Sequence, residues 1–442
     1  MDMSKSIKAV FSLLRCPVCG KKFSFDDVAH QKNRARFTLH CDECHFDYCV
    51  KDNIPSLLPP HLAAIVSQFR NLSNGARVQL NTPDLTNAHK WLSETLQILP
   101  GRLPKDSSLL SRVASLLNLC SQSGFSFEDT CEIIGMWASS AISSHYRKSV
   151  ADQMYGSIEA ISYERYEDII LRLLINNLLR TDQVALIEIG SGVGRILHQY
   201  GSCISTREDA ARRYRLNFPL MYGPNSLDNP HNLKLIIGLD FQEKMLSIAT
   251  GWLKEKESRL YALVREGRIV QIRGSVRYMP LSLGDPKYDD VYKVVCILFQ
   301  TLGNQLCREL QIEMLRRAWQ LTFPKGLLLV SVFSRKVFHT QAMPYYSSIK
   351  KSVGKGTYLE SGAFLSSKGV YSRWFEEEEL SKLFIDANIK DFRTFNGHNL
   401  KDFPDFQGYI DLESQNEYKK RALIGIGGTP SQLESISKRL SA

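Results

Sequence analysis

The stretch Ala185-Leu-Ile-Glu-Ile-Gly-Ser-Gly-Val-Gly-Arg-Ile-Leu197 decides the fold. An apolar run holding one acid, Glu188, stops at three alternating glycines, and an amphipathic segment follows. Near-continuous apolar runs are the mark of strands buried on both faces, so the order is parallel strand, tight turn, helix N-terminus. Glycines at 190, 192 and 194 let the backbone turn sharply and let a ligand approach where a Cβ would collide. The first N–H groups of the helix then point at the ligand. Phosphate loops and dinucleotide folds use the same device. Here no Lys-Ser/Thr pair follows the last glycine, which argues against an NTPase loop. Glu188, two residues before the first glycine, would repel a pyrophosphate and suit a ligand with an ammonium group.

Three later stretches extend this reading. Ile236-Ile-Gly-Leu-Asp240-Phe241 is a second apolar strand ending in an acid. Ile269-Val-Gln-Ile-Arg-Gly274-Ser275-Val276 is a third strand and turn. Residues 288–300 form a fourth, ending in Phe299-Gln-Thr-Leu-Gly-Asn304. With Glu188-Ile-Gly-Ser-Gly-Val-Gly194, this ordered set resembles the class I S-adenosylmethionine-dependent methyltransferases across residues 150–430. The resemblance implies an α/β fold, a doubly wound seven-strand Rossmann-like sheet. It implies S-adenosyl-L-methionine as cofactor, held by Glu188, Gly190, Ser191, Gly192, Gly194, Asp240, Phe241, Ser275 and Val276. Asp240 would accept from the ribose hydroxyls, as the acid after the second strand does in related nucleotide folds; capping the next helix is the other role open to it. Two departures stand out. Asp240 lies fifty residues after Gly190 rather than about twenty, so residues 203–234 are an insertion, a lid or a partner surface. Ser275 stands where the family often has an acid receiving the adenine amino group; a serine hydroxyl accepts less strongly. The resemblance also suggests an aromatic over the methionine end, Tyr155 or Tyr163, with a packed tyrosine as the alternative.

The chain of 442 residues is long enough for two or three domains. Its 43% hydrophobic and 23% charged residues are ordinary for a globular protein. No apolar run reaches membrane-spanning length, and the start of the chain makes a poor signal peptide. A cytoplasmic protein with reduced cysteines is expected. The net charge of +10 invites a nucleic-acid partner. The excess is spread along the chain, however. The densest group, Arg212, Arg213 and Arg215, is diluted by Glu208 and Asp209.

Residues 1–60 carry Cys16-Pro-Val-Cys19 and Cys41-Asp-Glu-Cys44. Two Cys-x-x-Cys knuckles brought together by a hairpin supply four soft ligands for tetrahedral Zn2+. Four cysteines close the site, so the zinc would be structural and would contribute much of the small module's folding energy. His40 and His45 flank the second knuckle as neighbours rather than ligands, and Cys49 is a spare thiol. With Leu14-Arg-Cys-Pro-Val-Cys19 and Asn53-Ile-Pro-Ser-Leu-Leu-Pro59, the segment is similar to the zinc ribbon at the front of 23S rRNA guanine methyltransferases. It is similar too to small zinc-ribbon activators of tRNA and protein methyltransferases. There the module binds substrate or steadies the catalytic domain.

Residues 61–150 turn helical. Leu85, Trp91, Leu92, Leu96 and Leu99 form one stripe; Leu109, Val113, Leu116, Leu117 and Cys120 form a second. A third helix, 127–144, carries Cys131, Ile134, Trp137 and Ile142. This connector could cap the active site, or form a homodimer or partner contact. The resemblance implies that residues 151–442 are the methyltransferase domain. Within it, residues 334–372 read as a long loop with Tyr345, Tyr346 and Tyr358, of a length that is usually functional. Glu376 to Glu379 crowd the first turn of a helix, where acids are stabilising.

Polar groups following a buried strand at the carboxyl edge of a sheet lie where substrate meets cofactor. Gln300, Asn304, Tyr345 and Tyr346 are therefore the candidate substrate residues. The Gly303-Asn304 step resembles glycine- and sarcosine-type N-methyltransferases; a simple turn is the bland alternative. Methyl transfer from a sulfonium needs an in-line nucleophile and little else, so no catalytic acid or base stands out. Cys296 and Cys307 read as structural. Three functions remain open: methyl transfer to a nitrogen or oxygen of a small molecule, methylation of an rRNA or tRNA base aided by the zinc ribbon, and a non-enzymatic cofactor- or partner-binding module.

Overall fold

The computed structural model describes residues 11–26, 36–73, 85–103, 107–145, 166–204, 227, 229–256, 258–283, 286–348, 350–400 and 420–440. Most of the 203–234 insertion, together with Tyr155 and Tyr163, lies outside the described residues.

Strands β5 (Val184–Ile189), β6 (Leu233–Asp240), β7 (Ile269–Gly274), β8 (Tyr292–Ile297) and β9 (Gly326–Phe333) are parallel neighbours in the order β7-β6-β5-β8-β9. All six residues of β5 are buried, as are all six of β8. Side chains alternate across the sheet. Ala185, Ile187 and Ile189 join one core, with Met314, Leu315 and Ala318 of helix Arg308–Gln320 and Leu380, Leu383 and Phe384 of helix Glu377–Asp386. Val184 and Leu186 join the other, with Ile170 and Ile175 of helix Tyr166–Leu179 and Ile196 and Leu197 of helix Arg195–Ile204. Helices thus cover both faces, as a parallel sheet requires. β14 (Ala422–Gly427) runs antiparallel between β9 and β13 (Phe392–Asn396).

The sheet has eleven strands, not the seven that the sequence predicts. The other four come from the N-terminal module: β1 (Ser24–Asp26), β2 (Arg36–Cys41), β3 (Phe46–Lys51) and β4 (Ile54–Leu57). β1 to β4 pair antiparallel, and β4 then lies parallel to β7, with Leu57 opposite Gly274. Leu13 N-terminal to the first knuckle accepts from Ser282 N at 2.9 Å, and Arg15 N donates to Pro280 O at 2.9 Å. Leu39, Cys41, Val50 and Leu57 are fully buried in the same core as Ile187 and Val295. The module is stitched into the large sheet at its β7 edge.

The connector forms helices Pro60–Ser73, Leu85–Leu96, Ser107–Gln122 and Phe127–His145. The first begins with proline at its first position, where a missing N–H costs nothing. Leu85 and Leu99, both placed on the first stripe, are exposed: Leu85 is the helix's first residue and Leu99 lies beyond its end. The connector's buried face packs within the chain, against Leu306, Leu310, Leu365 and Tyr371.

Residues 334–372 are a correction to the loop reading. They hold helices Met343–Ser348 and Lys350–Val353 and most of a three-stranded antiparallel sheet, β10 (Gly356–Leu359), β11 (Ala363–Ser366) and β12 (Tyr371–Arg373). Strands of three or four residues are too short to announce themselves by alternation. Among the described residues no helix is long and apolar enough to cross a membrane.

Because module and sheet share one core, Leu39→Ala should cost about 2–5 kcal/mol, the usual range for emptying a buried leucine site. Calorimetry should show the whole unfolding transition shifting down. An early separate transition with the main one unmoved would mean that the module folds by itself.

Candidate active site

The glycine turn is held from below and from one side. Gly190 N and Ser191 N both donate to Leu239 O at the end of β6, at 2.8 and 3.1 Å. Gly190, Gly192 and Gly194 all have positive φ, at 76°, 53° and 79°, where a side chain is strained. A Cβ on Gly190 would sit 2.3 Å from Thr301 Cγ2, and one on Gly194 2.9 Å from Ala249 Cβ. A Cβ on Gly192 would meet no atom within 4 Å. Two glycines therefore serve close packing, and the third borders open space.

That space is a cavity of about 260 Å³ at the carboxyl edge of the parallel strands. β5 and β8 are the strands at which the winding order reverses, the place where open α/β sheets bind ligands. Glu188, Gly190, Ser191, Gly192, Asp240, Phe241, Ser275, Val276 and Asn304 line it, as do Val193 and Arg195. The described structure thus brings together nearly all the cofactor candidates; Gly194 lies just beneath, against Ala249. Ser191 contributes mainly backbone, since its hydroxyl is packed toward Gly238 under the turn.

Asp240 is fixed by backbone N–H groups on both sides, one in the glycine turn and one ahead of the next helix. One carboxylate oxygen accepts from Gly192 N at 2.8 Å, and the other from Gln242 N at 2.8 Å, ahead of helix Glu243–Lys256. Burial pushes its carboxyl above the usual range, opposed by these backbone N–H groups. Each carboxylate oxygen keeps a second lone pair for a ligand hydroxyl. The fifty-residue interval does not displace Asp240, because β6 still pairs with β5 in register, Ile189 opposite Leu239.

Helix Phe127–His145 of the connector forms one wall of the cavity. Cys131, Glu132, Gly135, Met136 and Ser139 face inward as one stripe at helical spacing. Gln242 Nε2 donates to Met136 O at 2.8 Å, and Asp129 pairs with Arg277 and accepts from Tyr278 OH at 2.5 Å. Glu132 is the residue that sequence reasoning missed. Burial raises its carboxyl to about 7, against the lowering influence of Ser275 and Arg277. An acid set directly between Cys131 and the apolar pair Ile133 and Ile134 was its only signal.

At the far wall, Phe299 and Gln300 follow β8 with φ of 49° and 66°. Two successive non-glycine residues in that region are strained and persist only when their surroundings fix them. Gln300 does the fixing. Its amide oxygen accepts from Phe333 N at 2.7 Å, and its nitrogen donates to Arg373 O and, at 3.3 Å, to Ser372 Oγ. It is 3% exposed and does not line the cavity, so its side chain ties β8, β9 and β12 together where a substrate contact is expected. Tyr345 and Tyr346 do not line it either. Tyr346 is buried, stacked on Phe364 at 3.9 Å, and takes a hydrogen bond from Trp374 Nε1 at 3.3 Å. Tyr345 packs edge-on to Phe333 and lies against Arg421. Thr301, Asn304, Leu298, Phe299, Leu306 and Met314 form this end of the cavity instead.

A second cluster lies at the N-terminal edge of the sheet. The Sγ atoms of Cys16, Cys19, Cys41 and Cys44 all fall within 4.8 Å of one another, with Cys19 and Cys41 at 3.5 Å. A tetrahedral zinc with bonds near 2.3 Å would set them about 3.8 Å apart. The Cys19 thiol, burial and the charge of Cys16 push Cys44 up to about 12. Tyr48 OH is 3.5 Å from Cys16 Sγ. His40 is paired with Asp47 at 2.7 Å and, like His45, stands outside the cluster.

No protein-family model and no curated protein matches the chain. Solved structures do. The CcbJ methyltransferase from Streptomyces caelestis is 16% identical, with 62% of this chain and 89% of that one covered and a TM-score of 0.32. A SAM-dependent methyltransferase from Methanosarcina mazei is 15% identical, with 57% and 94% covered and a TM-score of 0.32. The 1,6-didemethyltoxoflavin-N1-methyltransferase of Burkholderia thailandensis, solved with 1,6-didemethyltoxoflavin and S-adenosylhomocysteine, is 13% identical, with 65% and 87% covered and a TM-score of 0.31.

Gln300→Ala would leave Phe333 N–H without its acceptor inside the core and release the strained turn. A loss of about 1–3 kcal/mol is expected for an unsatisfied buried donor, read as a lower denaturant midpoint. Unchanged stability would show that the turn holds itself.

Proposed function

We propose that this chain is an S-adenosylmethionine-dependent methyltransferase acting on a nucleophilic nitrogen or oxygen of a small molecule. The observation that carries the reading is the cavity at the β5/β8 reversal, with open space above Gly192 and acids around it. Among the described residues, Glu132, Glu188 and Asp240 all line it, against one cation, Arg195. Such a lining disfavours the pyrophosphate of a dinucleotide and favours a ligand carrying ammonium and sulfonium charge. When bound, that cofactor would supply an electrophilic methyl group.

The chain's own residues would do the rest by positioning. The N–H groups of the glycine turn and the acid Glu188 would hold the amino-acid end. Asp240 would take ribose hydroxyls while keeping the turn in place. Leu298, Phe299, Leu306 and Met314 would keep water from the acceptor, and Thr301 and Asn304 would offer it hydrogen bonds.

The four-cysteine cluster would hold one structural zinc, and its place in the shared core gives it a role in steadying the sheet edge. The cytoplasm fits four reduced thiols.

Two measurements test this. Calorimetry should detect S-adenosylhomocysteine binding, and Asp240→Ala should weaken it by about 1.5–3 kcal/mol, the worth of hydrogen bonds to a charged group. An undetectable interaction with the parent protein would remove the cofactor reading. Elemental analysis should find zinc, one per chain, and chelation should lower the unfolding temperature of the whole protein. Metal-free protein of unchanged stability would end the zinc assignment.

A further inference from the structure

Glu132 is only partly accounted for by the fold, through a hydrogen bond between its carboxyl and the Ser275 hydroxyl. Its Oε2 is shielded from solvent and has no hydrogen-bond partner among the described residues, although it lines the cavity. Leaving a carboxylate oxygen buried and unmatched costs more than a typical hydrogen bond returns. Its helix is nevertheless anchored at both ends of the stripe. Asp129, one turn before, is tied to Arg277 and Tyr278, and Met136, one turn after, is tied to Gln242. The side chain is therefore held over the cavity by contacts that do not involve it. An oxygen in that position calls for a donor from a ligand.

Its place along the cavity says which part of the ligand. The carboxyl ends of β8, β5, β6 and β7 stand in that order, each about 4.8 Å from the next. A ligand lying across them spans roughly 14 Å from the turn after β8 to the turn after β7. Asp240 ends β6, where a ribose is held in nucleotide-binding sheets. The base then lies one strand further out, beside Gly274, Ser275 and Val276. Glu132 stands against Ser275. Ser275 is itself engaged, since its Oγ accepts from Arg277 N at 3.1 Å. Adenine offers one strong pair of donors on its edge, the exocyclic amine.

We infer that Glu132, supplied by helix Phe127–His145 of the connector, accepts a hydrogen bond from the adenine amino group of the cofactor and so sets the preference for an adenine base. This rests on the cofactor reading above. It also makes the connector part of the binding site: cofactor and helix hold each other in place.

The test compares S-adenosylhomocysteine with its 6-deamino analogue, in which hydrogen replaces the exocyclic amine. Calorimetry on the full chain should give the parent protein a preference of about 10- to 100-fold for the amine, the range expected of a hydrogen bond to a charged group. Glu132→Ala should bind both compounds alike, near the affinity the parent shows for the analogue. Glu132→Gln is close to isosteric, keeps an acceptor oxygen and should retain part of the preference, which guards against a folding defect in the alanine variant. Full preference in Glu132→Ala would overturn the inference while leaving the cofactor reading intact. So would a Glu132→Ala variant whose only change is a raised KM for the methyl acceptor. Failure of the parent to bind either compound would instead remove the cofactor reading and this inference with it.

Discussion

The close approach of the glycine turn to the turn after β8 is the constraint on which the site depends. There is no room between Gly190 and Thr301 for even a methyl group. The contact fixes the distance between the two strands' ends and thereby the width of the cavity. It holds only if both turns are rigid, and each is pinned by one polar side chain. Asp240 ties the glycine turn to β6 and the helix beyond it. Gln300 ties the strained turn to β9 and β12. Gly303 completes the second arrangement, because a Cβ there would lie 2.5 Å from Arg373 O. The small antiparallel sheet is thus a buttress for the turn after β8, and its aromatic cluster of Phe338, Tyr346, Phe364 and Trp374 is the buttress's core.

On the opposite side of the cavity the load is carried by pieces outside the doubly wound sheet. β4 pairs with β7 and extends the sheet into the cysteine module, so the strand that leads into Ser275 is not an edge. An exposed edge strand next to a binding site would be free to fray or to pair with another chain. Helix Phe127–His145 is joined to the same turn through Asp129, Arg277 and Tyr278, and His61 of the first connector helix reaches Tyr278 OH at 3.3 Å. Module, connector and turn therefore form one support for the β7 end of the cavity.

Much of this was legible in the sequence, for a definite reason. β5, β6 and β8 are buried on both faces, which leaves an unbroken apolar run, and each lies at or within a residue or two of its expected place except for trimming at the ends of β8 and a longer start to β6. The glycines, the acid after β6 and the four cysteines are marked by residue type at fixed spacing, and the cysteine atoms do converge. Capping chemistry was equally local: Glu376 and Glu379 form a reciprocal cap on helix Glu377–Asp386. The pairing of β4 with β7 joins residues more than two hundred apart and leaves no local trace. Nor do the short strands at 356–373, whose stability comes from packing rather than pattern.

Gln300 and Glu132 show where sequence reasoning stops. Both are polar residues near the cavity, and residue type alone makes the one after β8 the better candidate for a ligand contact. What reverses the assignment is backbone conformation. A φ of 66° at Gln300 aims its amide back into the fold, toward Phe333 and Arg373, where it is spent on holding strain. Glu132 has the ordinary conformation of a helix interior, and the helix is set down over the cavity by Asp129 and Gln242. The direction of a side chain follows from dihedral angles and from long-range docking, and neither is encoded in a spacing. A polar residue can therefore be assigned to a ligand only after the fold has shown which of its hydrogen bonds are already made. By that criterion Gln300 is committed to the turn it holds, and Glu132 Oε2 is still open to a donor in the cavity.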